Sequence, residues 1–358
     1  MALGIFKKRE YTATIQPSGQ VVRLAGKEKL LRAGLAAGLD WPHDCQVGSC
    51  GSCRCKLKSG SIKPLIDFSY TLTHEEIEDG VILACQSILK SDIEIELALG
   101  NGGSVLEDAT GIVRAVDYLT HDIAELIVET TTPVFRSALA GQYAMLSFEG
   151  LDEPRSYSFA RRPGDGDGRA HTFVIRHVPG GEFTDWLFGA DRSGEAIQLS
   201  APYGAFHLRP ASGKMLCIAG GSGLAPVIAL IEAGIAEDRN EPLVVLFGAR
   251  EQRDLYYLER MSRLGESWRG EFELLPVLSE EPDDSGWAGA RGLVTEHISA
   301  LEYPVSPETR AYVCGPPPMV DAAIGQLVQS GLGPEAIFFD KFLDASTQPG
   351  RRGGISSD

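Results

Sequence analysis

The sequence predicts a multidomain chain in which an α+β domain, an antiparallel β-barrel and a parallel α/β domain follow one another. Three observations predict it. The 358 residues exceed what one ordinary core holds. Five of the seven cysteines crowd between Cys45 and Cys85. From Lys214 onward the rhythm changes from short β-rich runs to strands alternating with helices.

In chain order, Tyr11–Ile15 and Val21–Leu24 flank the turn Pro17-Ser18-Gly19 and read as a hairpin. Lys29–Ala37 reads as a helix, and Ile93–Leu97 alternates apolar and acidic residues like a half-exposed strand. These define a first domain over residues 9–99. The run Gly100-Asn101-Gly102-Gly103-Ser104 marks a linker at 100–106. Gly111–Val116, Ala124–Thr130, Tyr143–Phe148 and Thr172–His177 are closely spaced strands, expected to form a small barrel within 107–210. Met215–Ala219, Leu243–Phe247, Phe272–Val277 and Arg310–Val313 alternate with helices at Leu224–Ala236, Asp254–Leu264 and Met319–Ser330. That pattern gives a parallel sheet within 211–344. The polar tail at 345–358 is expected to be disordered.

Composition narrows the function. The net charge of −16 argues against nucleic acid, whose phosphates would repel it, and suits a partner with a basic patch, although it also serves solubility alone. No apolar run approaches the roughly 20 residues of a membrane helix, and Met1 to Glu10 is apolar only as far as Phe6. A cytoplasmic protein that does not itself span the membrane is expected, peripheral to the inner membrane only through a partner. Structural disulfides are not expected there.

The cysteine crowding calls for a metal. Cys45, Cys50 and Cys53 are spaced C-x4-C-x2-C, with Cys85 far downstream, the spacing of a plant-type [2Fe–2S] centre. A tight loop must aim thiolates inward and bring backbone N–H groups to the sulfides, which Gly48 and Gly51 permit. Structural zinc is the rival, but it favours two short cysteine pairs. Cys55 reads as a small buried core residue. With Pro42-His43-Asp44-Cys45 leading into the loop, Tyr11 to Leu97 resembles a plant-type ferredoxin domain.

Two further segments carry ligand-binding chemistry. Arg155-Ser156-Tyr157-Ser158 gathers a cation, an aromatic and two hydroxyls at a strand. Downstream, Arg176-His177-Val178-Pro179-Gly180-Gly181 leads into a predicted helix bearing Thr184, whose free N–H groups suit a pyrophosphate. Together they resemble the FAD site of the ferredoxin–NADP⁺ reductase superfamily. That resemblance implies Arg155 on the flavin phosphates, Tyr157 stacked on the ring and Ser158 near its N5. It also implies His177 and Val178 along the ring or ribityl chain, with Gly181 and Thr184 at the pyrophosphate.

Gly220-Gly221-Ser222-Gly223-Leu224-Ala225-Pro226 joins a predicted strand to a predicted helix, and so does Cys314-Gly315-Pro316. Both turns fall at the C-terminal ends of parallel strands, where such sheets bind dinucleotides. By the same resemblance, Gly220, Gly221, Gly223 and Pro226 meet the pyrophosphate of NADH, Cys314 and Gly315 flank the nicotinamide, and Phe342 covers the flavin face. Glu251 is placed to accept a ribose hydroxyl, which favours NADH. Arg250 and Arg253 could instead take a 2′-phosphate, or Arg250 could pair with nearby acids. Tyr157, Ser158, Cys314 and Phe342 are the residues expected at the reacting atoms.

The domain order resembles the reductase components of bacterial aromatic and alkane oxygenases. The likeness runs through Phe247-Gly248-Ala249-Arg250, Pro276-Val277-Leu278-Ser279 and Cys314-Gly315-Pro316-Pro317-Pro318-Met319. It implies a circuit from NADH to FAD to [2Fe–2S] to the hydroxylase component of an aromatic hydrocarbon monooxygenase, with a membrane-bound di-iron hydroxylase as partner. A soluble Rieske oxygenase, a ferredoxin or a non-oxygenase acceptor such as a deoxysugar dehydratase are the alternatives.

Overall fold

The computed structural model describes residues 10–43, 48, 51–97, 106–210, 213–301 and 305–342. Cys45, Cys50, the linker up to residue 105 and the tail at 345–358 lie outside the described residues. The chain folds as two units, Met1–Leu106 and Glu107–Asp358.

In the first unit, β1 (Glu10–Gln16) and β2 (Gln20–Ala25) form the expected hairpin, followed by α1 (Leu30–Ala36). Then come β3 (Arg54–Ser59), β4 (Ile62–Pro64), α2 (His74–Glu78), β5 (Val81–Leu83), β6 (Ser87–Leu89) and β7 (Ile93–Glu96). The main sheet has the order β2-β1-β7-β3-β5, with β1 and β7 parallel, and β4 pairs with β6 separately. Alternation sorts the side chains. Ala13, Ile15, Ile93 and Ile95 are buried on one face of the sheet, and Leu30 and Leu31 are buried on α1. Trp41 is buried against Gly34 of α1, where any Cβ would come within 2.7 Å of its ring. That contact anchors the chain just before the cysteine loop.

The second unit opens with β8 (Glu107–Tyr118), β9 (Ile123–Thr130), β10 (Tyr143–Ser147), β11 (Arg155–Ser158), β12 (Ala170–Arg176), α3 (Glu182–Gly189) and β13 (Ala196–Tyr203). These strands form one sheet in the order β11-β10-β13-β8-β9-β12, antiparallel throughout. A bridge between Phe159 and Phe173 brings its two ends together, so the sheet nearly closes as a barrel. Phe135, Phe159, Phe173 and Phe183 fill the interior.

The chain then runs through β14 (Lys214–Gly220), α4 (Leu224–Ala236), β15 (Leu243–Ala249), α5 (Leu258–Ser267), β16 (Phe272–Leu278), β17 (Ala290–Arg291), β18 (Thr309–Gly315), α6 (Pro317–Gln329) and β19 (Ile337–Lys341). The sheet is wholly parallel, in the order β17-β16-β15-β14-β18-β19. Strands β14 to β17 extend it one way, and β18 and β19 the other. The direction therefore reverses between β14 and β18, which opens a crevice at their C-terminal ends. Apolar residues surround α4 because one side packs on this sheet while the other meets Ile123, Ala140, Ala160 and Val174 of the barrel.

One helix starts later than its sequence suggests. The expected helix over Asp254–Leu264 begins at Leu258. Glu251 and Asp254 cap each other across a short 3₁₀ turn at Gln252–Asp254, and Tyr257 then adopts a left-handed conformation with φ 58°. Both interrupt the helical path.

His171 sits inside the barrel, 2% exposed, with its ring 5.1 Å from that of Phe135. Burial holds its pKa down to about 4, against 6.5 for an exposed histidine. The unfolded chain therefore takes up a proton on this side chain below pH 6.5 that the folded chain refuses until about pH 4. Stability is present above pH 6.5 and falls as the pH drops toward 4, by about 2 kcal/mol between pH 7 and 5 from this group alone. Urea unfolding at the two pH values should show that drop in the native sequence and a smaller one in His171→Phe.

Candidate functional site

Cys53 precedes β3, and Cys85 lies in the 3₁₀ turn Ala84–Gln86 after β5. The pairing of β3 with β5, with Arg54 opposite Leu83, brings them together. The Cys85 N–H donates to Cys53 Sγ at 3.4 Å, and both thiols are buried. An amide aimed at a buried sulfur is the environment a thiolate-bound cluster needs. The loop wall is tight as well. Gly48 has φ 88°, and a Cβ there would lie 2.3 Å from Ile66 and 2.9 Å from Gln86. Its carbonyl accepts from the Thr71 hydroxyl. The described half of the site thus fits an iron–sulfur cluster, with Cys45 and Cys50 outside the described residues. Cys55 is a buried core residue on β3 whose thiol burial pushes up.

Arg155, Tyr157 and Ser158 lie on β11. The Arg155 guanidinium donates to Glu182 Oε2 at 3.1 Å and to the Glu153 carbonyl at 2.5 Å. Tyr157 packs its ring 5.0 Å from Phe183 of α3, and burial raises its pKa. The loop from His177 to Gly181 leads into α3. His177 stacks on Phe188 at 4.8 Å and shares a hydrogen bond with Asp185 at 2.9 Å. Gly181 is the N-cap and offers no side-chain cap to the first-turn amides. Those uncapped amides, with Arg155 linked to the first helical residue, form a donor set suited to a pyrophosphate. The buried Thr184 hydroxyl accepts from Val178 N at 3.1 Å and faces the Val178 carbonyl at 2.9 Å, so it organises the loop from within.

In the crevice, Gly220, Gly221 and Gly223 turn the chain from β14 into α4, and buried Pro226 lies in the first turn. The turn interlocks with the end of β18. A Cβ on Gly223 would stand 2.2 Å from the Cys314 carbonyl oxygen, and one on Gly315, at φ 149°, would stand 3.0 Å from the Gly220 carbonyl. Only bare backbone fits, and such a surface lets a pyrophosphate approach. Cys314 is fully buried; burial and the neighbouring Asp340 carboxylate push its thiol well up.

The barrel and the coenzyme sheet meet here. Ser158 Oγ lies 3.4 Å from Asp340 Oδ2. Asp340 is paired in register with Cys314, and the Phe342 N–H donates to the Gly315 carbonyl at 2.9 Å. The structure therefore brings Ser158, Cys314, Gly315 and Phe342 to one place. It adds Asp340, which sequence reasoning missed because its role depends on the pairing of β19 with β18. It also adds Tyr256, whose hydroxyl donates to the Gly221 carbonyl at 3.0 Å.

Glu251 lies in the turn after β15 and is paired with Arg253 at 2.9 Å. Arg250 is held by Asp122 and Asp254, each at 3.0 Å. Both arginines are thus engaged by acids. Asp122 is partly buried, which by itself would raise its pKa. The Thr120 hydroxyl and the charges of Arg250, His121 and Arg176 outweigh that and hold its carboxyl below the usual range.

A cysteine-bearing α+β unit, a barrel with an anion-binding helix end and a parallel sheet with a glycine crevice define an oxidoreductase that joins an iron–sulfur domain to flavin and nicotinamide domains. The family models agree. A 2Fe-2S iron-sulfur cluster binding domain matches residues 13–90, an oxidoreductase FAD-binding domain 111–208 and an oxidoreductase NAD-binding domain 217–324. The chain is 40% identical to the xylene/toluene monooxygenase electron transfer component XylA of Pseudomonas putida, over 94% of each chain. It is 33% identical to the naphthalene 1,2-dioxygenase system ferredoxin–NAD(P)⁺ reductase component of Pseudomonas putida, over 92% of this chain and 97% of that one. The Amycolatopsis cytochrome P450 reductase GcoB superposes with a TM-score of 0.82 at 30% identity, over 93% of this chain and 98% of that one. The chain belongs to the family of iron–sulfur flavoprotein reductases that form the electron-transfer components of oxygenase systems.

Gly223→Ala should force the two strand ends apart. NADH-to-ferricyanide kcat/KM is expected to fall about 100-fold, the scale of an ångström-sized misplacement. The FAD content read from the visible spectrum should not change.

Proposed function

We propose that this chain takes a hydride from NADH and delivers electrons singly to the hydroxylase component of an aromatic hydrocarbon monooxygenase. The observation that carries the reading is the convergence of Ser158 and Asp340 with Cys314, Gly223 and Phe342, from sequence segments far apart, at the crevice of the parallel sheet. FAD and a [2Fe–2S] cluster, when bound, supply the conversion of a two-electron hydride into single electrons.

The residues have separable tasks. Gly220, Gly221 and Gly223 admit the coenzyme pyrophosphate, with Pro226 starting the helix behind it, and Glu251 accepts a ribose hydroxyl. Cys314 and Gly315 form the wall beside the nicotinamide, and Phe342 screens the flavin face until the coenzyme arrives. Arg155 exchanges its Glu182 partner for flavin phosphate, whose charge the first-turn amides beyond Gly181 also meet. Tyr157 flanks the ring. His177 and Val178 line the flavin chain, and Thr184 keeps their loop in shape. Ser158, with Asp340 behind it, holds a hydroxyl at the ring edge. Cys45, Cys50, Cys53 and Cys85 are the cluster ligands.

The partner we infer is a membrane-bound di-iron hydroxylase, the acceptor that the resemblance to aromatic monooxygenase reductases implies; the 40% identity to a xylene/toluene monooxygenase component along nearly the whole of both chains supports a monooxygenase as acceptor. Among the described residues, no helix is long and apolar enough to cross a membrane.

Cys50→Ala should keep NADH-to-ferricyanide activity and lose delivery to the oxygenase; persistence of both would break the circuit. Purified reductase and NADH, added separately to membranes and supernatant of the host with xylene, cymene or naphthalene, test the partner. Hydroxylation in the pellet alone supports the membrane hydroxylase. Hydroxylation in the supernatant alone replaces it with a soluble oxygenase.

A further inference from the structure

Two consecutive tyrosines precede α5, and they reach different parts of the second unit. The Tyr256 hydroxyl donates to the Gly221 carbonyl at 3.0 Å, inside the glycine turn. The Tyr257 hydroxyl donates to the carboxylate of Glu125, on β9 of the barrel. One helical turn later, Arg260 Nη2 donates to Glu232 Oε1 at 2.7 Å and to the Ala160 carbonyl at 3.2 Å. Ala160 lies two residues beyond Ser158, and its N–H is fixed to the Thr172 carbonyl at 2.8 Å. Glu125 Oε2 stands 3.8 Å from Arg260 Nη1, and the Arg260 guanidinium lies 4.8 Å from the centre of the Tyr257 ring. Glu232 also accepts from the Arg162 N–H at 3.0 Å.

Two magnitudes argue that this cluster serves geometry more than stability. The side chains of Arg260, Glu125 and Glu232 are only 11, 13 and 14% exposed. Ion pairs buried to that degree give back much of their attraction in lost hydration, so apolar residues of similar size would hold the surfaces together as well. The left-handed Tyr257, at φ 58° and ψ 16°, adds backbone strain on top of that. Strain of this kind persists where surrounding contacts over-determine it, and here it falls on Tyr257 itself, the second of the two tethers.

We propose that Arg260 is a positioning residue for hydride transfer. With Tyr256 and Tyr257 it sets the spacing between the glycine turn that receives the coenzyme and the strand that presents Ser158. The proposal rests on the reductase reading.

The test compares the full-length flavin-loaded protein with its Arg260→Met, Arg260→Lys and Tyr257→Phe variants. In Arg260→Met, anaerobic bleaching of the flavin by NADH should slow about 10- to 100-fold. The isotope effect of 4-deuterated NADH on ferricyanide turnover should rise as hydride transfer becomes the slowest step. Amide exchange across residues 155–160 should quicken, with the FAD content unchanged. Arg260→Lys should recover part of the rate, since one ammonium reaches Glu232 without spanning to Ala160 in the same way. If Arg260→Met does not fold, Tyr257→Phe decides: a raised isotope effect supports the proposal, and an unmoved one overturns it. Unchanged bleaching, or a loss of rate in step with lost FAD at a constant isotope effect, overturns it too, provided the native sequence is reduced normally. A native protein whose flavin NADH leaves oxidised overturns the reductase reading itself.

Discussion

The second unit depends on one close approach: the turn after β14 lies against the last peptide of β18 with no room for a side chain between them. Strand order reverses at that point, which opens the crevice at the C-terminal ends of β14 and β18. Cys314, at the end of β18, is fixed by the same packing, and β19 is fixed beside it by strand pairing. Asp340 and Phe342 inherit their places from that pairing. The reacting constellation is thus mostly a consequence of strand order and glycine placement, held on rigid elements rather than on loops.

Burial sorts the thiols. Every described cysteine is buried, yet their surroundings differ. Cys53 accepts a backbone N–H from Cys85, a hydrogen bond to sulfur of the kind that surrounds a thiolate-bound cluster. Cys217 lies in the middle of β14 among apolar side chains, and burial pushes its thiol up. Cys314 is raised by burial and again by the Asp340 charge. The last two remain small apolar groups under ordinary conditions. In the proposed function, Cys314 would offer the coenzyme a compact neutral wall. The basic groups are sorted too. Arg250 and Arg253 are engaged by acids, while Arg155 meets only the exposed Glu182 and its own strand's approach.

Much of this was legible in the sequence, for identifiable reasons. The hairpin β1–β2, the helix α4 and the strands of the parallel sheet carry strong periodicity or long apolar runs, and those signals are local. The cysteine spacing and the two glycine turns are local as well. Strand β13 escaped notice because Ser200, Pro202 and the buried Tyr203 blur its alternation, although it sits at the centre of the barrel sheet. The late start of α5 was not read because one of its two causes, Tyr257 being drawn toward Glu125, comes from far away in the chain; the other, the mutual cap of Glu251 and Asp254, is local. Asp340, Tyr256 and Arg260 share that limitation: each acquires its partner only through tertiary pairing. Thr184 was legible as a residue at a helix start, but the inward turn of its hydroxyl was not.

The apolar cluster around α4 draws on both the barrel and the coenzyme sheet, with Ile123, Ala140, Ala160 and Val174 meeting Leu224, Val227 and Ile231. The cysteine-bearing unit has its own buried interior, centred on Ile15, Leu31, Trp41 and Ile95. Recombination inside the second unit is therefore costly. A cut between the flavin and nicotinamide halves would expose an apolar face to water on each. The boundary after Leu106 falls instead between two compact units, each with buried residues of its own, where a cut in the gene divides neither.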